Sequence, residues 1–396
     1  MFIKITNCSP RNYGDDGDRI DALSHIIKSS GRRKNVVYSD SKTMSDVIDS
    51  GLYDINVNRF ANEIKDVRRE LGDIRRNLDF LVIVDFELES DEITHTLTND
   101  AQYELKCSYK HFISPKTILG TTLLSENLRD CKFYKIVGKK FAQHKLGVNI
   151  DIAMEEESGG GSGTYDHYLA SKGNREFTLC IIDNDKAHPQ KGEGSTSSRF
   201  PLKERNNRGQ QTLHVLSVRE IESIIPDTIL EQVITSAVHR NNRITDENGV
   251  PLPKYNYPTE SIDNLDKIKN IDSETGFEFR KYFDHKDGLN LFKANALDRK
   301  YGNFWTPLFK VHHLFSNKPC RPSKVCVNTE EQKVCDCISL KGIGSNILEH
   351  SIDYLKANSY SNIKNNMTPP MINEWEDIGQ KVLSWGCALS LPKSRV

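Results

Sequence analysis

Three stretches decide the fold: TILGTTLLSENLRD at Thr117–Asp130, FTLCIIDND at Phe177–Asp185 and LHVLSVREIES at Leu213–Ser223. Each is an apolar, strand-like run with acids at or just past its end. The first delivers Glu126, with Asp130 four residues on at the start of a helical pattern. The second delivers Asp183 and Asp185, and the third Glu220 or Glu222. In a parallel α/β sheet, residues just past the carboxyl ends of the strands share one edge crevice, where ligands bind. Carboxylates gathered there repel one another, and a hard divalent cation with oxygen ligands, Mg²⁺ above all, is the ordinary way to neutralise them. The expectation is a metal-dependent phosphoryl-transfer site acting on nucleic acid.

Outward from these strands, Leu128–His144 places Leu128, Phe133, Ile136, Val137 and Phe141 on one helical face. Val148–Ala153 alternates as a short strand, Glu155–Gly163 reads as a Gly-rich loop, and Thr164–Lys172 as a short helix. Strand and helix alternate, which predicts an α/β fold with a mainly parallel sheet flanked by helices. Ala187–Gly209 is polar and rich in turn residues, so it reads as a loop beside the site. Three consecutive domains are expected: an N-terminal α/β domain over 1–115, a catalytic domain over 116–240, and a mostly helical accessory domain over 241–396.

In the N-terminal part, MFIKIT reads as a strand and Asp54–Asp79 as an amphipathic helix whose outer face carries Lys65, Arg68, Arg69, Arg75 and Arg76. A solvated helix face explains those charges; a surface for phosphates is the sharper alternative. Phe80–Asp91 ends in Asp85, Glu87 and Glu89, but its acids alternate with apolar residues along the strand, so it reads as structural. In the C-terminal third Tyr282–Leu297, Asn346–Leu355 and Glu374–Trp385 read as helices.

The chain has 396 residues, 28% of them charged and 37% hydrophobic, with a net charge of −1. That balance argues against coating nucleic acid by bulk electrostatics and allows a local basic groove. No apolar run reaches the length of a membrane span, and MFIKITNCSPRN has neither the h-region nor the cleavage site of a signal peptide. Nine cysteines are too few and too scattered for a disulfide framework, so a cytoplasmic setting is expected.

Glu126-Asn127-Leu128-Arg129-Asp130 at a strand-to-helix junction, followed by Asp183-Asn184-Asp185 after a hydrophobic strand, resembles the TOPRIM family. Arg219-Glu220-Ile221-Glu222-Ser223 resembles the later acidic motif of OLD-type nucleases and of the TOPRIM effector of PARIS-type antiphage systems. The resemblance covers about a quarter of the chain, and Asn127 stands where the family usually has Gly; an Asn can keep a left-handed turn. It implies that Glu126 ligates metal and acts as general acid or base. It implies that Asp183 and Asp185 hold Mg²⁺ (or Mn²⁺), with Asp130 and Glu222, or Glu220, completing a second site. Two ions about 4 Å apart would then clamp both oxygens of an in-line displacement. Lys186 and Lys191 are the candidate cations for the departing oxygen, the solvated-loop reading standing beside both. The resemblance further implies a DNA or tRNA substrate, a role in antiphage defence, a separate ABC- or SMC-type ATPase as partner, and homo-oligomer formation.

Other signals point elsewhere. GGGSGT at Gly159–Thr164 lacks the Gly-Lys-Ser/Thr ending of a P-loop, so a loop over the site is expected there. Cys320, Cys326, Cys335 and Cys337 follow His312 and His313, but their C-x5-C-x8-C-x-C spacing does not match zinc ribbons or fingers. Reduced thiols are the main reading and a structural Zn²⁺ the alternative. His188 reads as a loop histidine outside the chemistry. The competing functions are a primase-like nucleotidyl transferase, and a sugar transferase or phosphatase built on the Asp183–Asp185 strand alone. Neither of the latter two needs Glu126.

Overall fold

β1 (Phe2–Thr6) and β3 (Phe80–Asp85) are apolar runs with almost no exposed residue, the pattern of strands covered on both faces of a parallel sheet. The computed structural model describes residues 1–98, 102–146, 150–207, 209–238, 244–246, 248–311 (309–311 by backbone only) and 339–390. With β2 (Val36–Tyr38), β4 (Thr94–Leu97) and β5 (Tyr103–Ser108) these strands form a five-stranded sheet in the order β2-β1-β3-β5-β4. All its pairings are parallel except β4 with β5. The helices around it start on acids that satisfy free N–H groups: Asp16 accepts from the Arg19 N–H, Asp40 from Thr43, and Asp54 from Asn56 and Val57. The helix Gly17–Gly31 turns Ala22, Leu23, Ile26 and Ile27 inward; burial contributes about 1.5–3 kcal/mol for each large aliphatic side chain.

The expected long helix over Asp54–Asp79 is two helices, Ile55–Val67 and Leu71–Arg76. Its basic face is largely committed: Arg68 lies over the Tyr38 ring, Arg75 reaches Glu104, Arg76 pairs with Asp73, and Lys65 bonds Ser45. Asp85 is structural as expected. Partial burial would raise its carboxyl, but bonds from Lys106, the Glu87 N–H and Asn7 outweigh that and hold it below the usual carboxylate range.

β6 (Thr121–Ser125) leads into the helix Leu128–Leu146, then a short β7 (Ile150–Ile152) and β8 (Met154–Ser158). The helix Thr164–Gly173 connects β8 to β9 (Thr178–Ile182), and β10 (Gln211–Val215) follows. The second sheet has the order β10-β9-β6-β8, with β8 and β9 both parallel to β6. Two expectations change here. The alternating strand near Val148–Ala153 is β7, but it lies outside this sheet and pairs antiparallel with Cys387–Leu389. The acidic run read as loop is the edge strand β8, whose glutamates are paired singly: Glu155 with Lys34, Glu156 with Lys135, Glu157 with His167. Charges on an edge strand deter pairing with a further strand.

The chain divides into two compact units, and neither is continuous in sequence. The first holds Met1–Ile181, Pro201–His214 and Glu376–Val396, the second Ile182–Phe200 and Val215–Trp375. These differ from three consecutive domains, because late residues complete the first unit. There the Thr121 hydroxyl donates to the Trp385 carbonyl, the Asp79 N–H to Ser384 Oγ, and Gln380 to the Asn77 carbonyl. Trp385 stacks on Phe80 with centroids 4.7 Å apart.

The second unit is mostly helical: Asp227–Thr235, Glu260–Thr275, Glu278–Tyr282, Leu291–Tyr301, Trp305–Val311, Ile347–Ala357 and Tyr360–Lys364. A small antiparallel pair joins β11 (Gly288–Asn290) to β12 (Ser339–Lys341). The expected helix over Tyr282–Leu297 is instead a helix end, a turn, β11 and a new helix. Arg280 is buried against Asp227 and Asp272, an arrangement that supplies each charge with a partner away from water. The indole N–H of Trp375 donates to the Ile224 carbonyl at 2.7 Å. The cysteine cluster at Cys320–Cys337, with His312 and His313, lies outside the described residues. Among those described, no helix is long and apolar enough to cross a membrane.

Candidate functional site: strand-end acids around a lysine

In the first unit, Glu126 directly follows β6. Its carbonyl accepts from the Ser158 hydroxyl at 3.0 Å and from the Gly160 N–H at 3.0 Å. Gly160 and Gly161 both adopt the left-handed conformation, and the Gly161 Cα side faces Glu126 Oε2. The loop's composition follows from positive φ at Gly160 and Gly161 and from the close approach of Gly159 to Thr164. Asn127 is not among the described residues with positive φ. The left-handed turn expected there is replaced by side-chain capping: Asn127 Oδ1 accepts from the N–H groups of Arg129 and Asp130. Asp130 returns the bond, its Oδ2 accepting from the Asn127 N–H at 3.1 Å and lying 3.4 Å from Ser125 Oγ. Asp130 is thus buried as a reciprocal cap at the start of Leu128–Leu146. That work leaves it ill placed to serve as a metal ligand.

In the second unit the structure brings together Asp183, Asp185, Glu220 and Glu222. The Asp183-Asn184-Asp185 turn is fixed by Asn184, whose side chain donates to the Leu216 carbonyl at 3.0 Å and accepts from the Lys186 N–H at 2.8 Å. Asp185 itself has φ +55, an uncommon conformation that Asp tolerates better than most. Its N–H donates to the Arg219 carbonyl at 2.9 Å, tying this turn to the loop of Glu220 and Glu222. Gly194 backs the turn, and a Cβ there would stand 2.2 Å from Asp185 Cβ. Gly194→Ala is therefore expected to push Asp185 aside at a cost of about 1–3 kcal/mol, with Mn²⁺ affinity falling in the same variant. A melt and a metal titration check it, and an unchanged metal affinity would show that Asp185 does not need this place.

The residue that sequence reasoning passed over is Lys286. Its Nζ lies 3.2 Å from Glu222 Oε2 and 3.8 Å from Glu220 Oε2. Burial alone would lower the Lys286 ammonium, but Glu222, Glu220 and Asp183 outweigh it and hold it above the ordinary lysine range. Glu220 Oε1 also accepts from the His285 N–H at 2.5 Å. Despite burial, the bond from His285 and the charges of His285, Lys286 and Arg219 keep Glu220 below the usual carboxylate range. Glu222 goes the other way, raised to about 8 by burial and by Glu220, against the pull of Lys286. Burial also raises Asp185, with Arg219, Lys286 and Lys191 opposing and Glu220 adding to it. Lys191 is thus within electrostatic reach of Asp185, whereas Lys186 contributes its backbone N–H to the turn. Glu220 and Glu222 are both buried. His188 is structural: its ring bonds the Gly302 carbonyl and the Gln190 N–H.

The raised carboxyl of Glu222 has a consequence for stability. A carboxyl whose folded pKa exceeds its unfolded value binds its proton more tightly when folded. Its stabilisation is fully present below the unfolded pKa of about 4.5 and is lost as pH rises through about 8. In metal-free protein the melting temperature of wild type relative to Glu222→Gln is expected to fall between pH 5 and 8. A difference that stays flat across that range would contradict it.

Among the described residues no three His, Cys, Asp or Glu groups are arranged to share one metal ion. The second unit offers carboxylate oxygens, the donor type a hard cation takes, from Asp183 and Asp185 on one tied turn. Glu222 fits less well, since an ammonium already faces it. No family model, curated protein or solved structure matches the chain. Fold and site define it as an α/β protein with strand-end acids gathered around a lysine.

Proposed function

We propose that this chain is a TOPRIM-type nuclease, cleaving phosphodiester bonds of DNA or tRNA with Mg²⁺ or Mn²⁺ as the effector of an antiphage defence system. The observation that carries the proposal is the cluster in the second unit. The Asp183–Asp185 turn is tied through Asp185 N–H to the loop of two buried glutamates, and Lys286 lies against both glutamates. Asp183 and Asp185 would hold the ion, and the TOPRIM resemblance adds Glu126 to them. When bound, the ion would polarise the scissile phosphoryl group and acidify an attacking water. In the second unit Lys286 would face the charge growing on the departing oxygen, and Asn184 and Arg219 would hold the acids in register; for Glu126 the TOPRIM resemblance implies the proton-moving role. An ATPase of the ABC or SMC type is proposed as a separate partner.

The test is cleavage of plasmid DNA and total tRNA by the full chain with Mg²⁺, with Mn²⁺ or with EDTA. Metal-dependent cleavage lost in Glu126→Gln supports the proposal and names the substrate. Activity on sugar nucleotides or phosphomonoesters that survives Glu126→Gln would instead favour the transferase or phosphatase alternative. Primer synthesis from nucleoside triphosphates would favour the primase-like one.

A further inference from the structure

The place of Lys286 bears on how many ions the acid cluster takes, a question that rests on the metal-dependent function proposed above. A two-ion site asks its carboxylates to face two dications about 3.5–4 Å apart. Here both late glutamates are buried, and both face a positive charge that belongs to the chain. The charge is held in place from several sides. The Lys286 carbonyl accepts from the Gly344 N–H at 3.2 Å, and the His285 carbonyl from the Ile343 N–H at 2.7 Å. Asp284 Oδ1 accepts from the N–H groups of Lys286 and Asp287, and Asp284 is itself held by Arg219 at 2.5 Å. Gly342 passes so close that a Cβ there would stand 2.3 Å from the Lys286 carbonyl oxygen. These bonds fix the backbone of the turn, and the two glutamates hold the ammonium at the end of the Lys286 side chain.

We infer that Lys286 takes the place of a second divalent cation, so that the cluster binds one metal ion, on the side of Asp183 and Asp185. A second dication at the glutamates would lie against Lys286, whose repulsion is strong where water is scarce. Glu220 and Glu222 then serve to hold the lysine, in contrast to the ligand role that the TOPRIM resemblance implies for them.

The experiment is a Mn²⁺ titration of the EDTA-treated full chain followed by electron paramagnetic resonance, on wild type, Lys286→Arg and Lys286→Gln. One Mn²⁺ is expected in wild type and in Lys286→Arg. Two are expected in Lys286→Gln, with the broadened signal of neighbouring ions. Two ions in wild type, or a single ion in folded Lys286→Gln, would overturn the inference while leaving metal dependence intact. If circular dichroism shows Lys286→Gln unfolded, Glu222→Gln decides. It should keep its one ion with affinity within about threefold of wild type, and a loss beyond about tenfold sinks the inference. A wild-type chain that binds no Mn²⁺ fails at the earlier step and removes the proposed nuclease function with it.

Discussion

Asp183→Asn is expected to lower metal-dependent cleavage by roughly 10³-fold or more, while the chain stays folded. The residue is half-buried directly past β9 and adds its charge to the cluster around Lys286. An amide keeps its shape and removes the charge that would hold a cation. Several kcal/mol of charge stabilisation at the reacting phosphate depends on such an ion, and each 1.4 kcal/mol is about tenfold in rate. Initial rates with Mg²⁺ and Mn²⁺, beside a thermal melt, read the effect. Asp185→Asn should fall similarly, and Lys286→Ala further than Lys186→Ala. Cleavage by Asp183→Asn within about tenfold of wild type would mean that the Asp-Asn-Asp turn does not do the chemistry.

The second large effect is energetic. Removing Lys286 leaves Glu220 and Glu222 buried without their cation, and breaking a fully buried pair costs about 3–5 kcal/mol. The Lys286 side chain is 37% exposed, so solvent screening reduces the expected loss to about 1–3 kcal/mol. In urea with EDTA present, Lys286→Gln should therefore unfold markedly earlier than wild type. Adding Glu222→Gln should recover part of the difference, because it removes one of the two buried carboxyls that faced the ammonium. The double-mutant cycle reads the coupling directly. Additivity within about 0.5 kcal/mol would show that the contact has no energetic weight.

These two predictions mark what could be taken from the sequence. Asp183 was legible because Thr178–Ile182 is an unbroken apolar strand, and acids after such strands stand out. The long helix after β6 was legible for the same reason, its buried residues recurring at helical spacing. Lys286 was not legible, since Tyr282, Phe283, Leu289, Leu291 and Leu297 mimic helical spacing while the chain there turns and forms β11. The close approach of Gly342 that shapes this turn comes from more than fifty residues away. β8 was hidden by its own protection, because three successive glutamates read as solvated loop until their partners on other elements are seen. Asp130 reads two ways in sequence, since a helix cap and a metal ligand are both an acid at a strand-to-helix junction, and its bond from the Asn127 N–H shows the cap.

The first unit draws its last pieces from Glu376 onward, and β7 finds its partner in Cys387–Leu389. A ribosome makes a protein in one direction, so this unit stays unfinished until residues near 389 have left the exit tunnel. Thr121 and Asp79 wait for Trp385 and Ser384 throughout that time. Contacts so distant in sequence form slowly. A prematurely ended chain, such as one cut short by a stop codon before Glu376, carries every acid named above and lacks the staple that closes the first sheet pair.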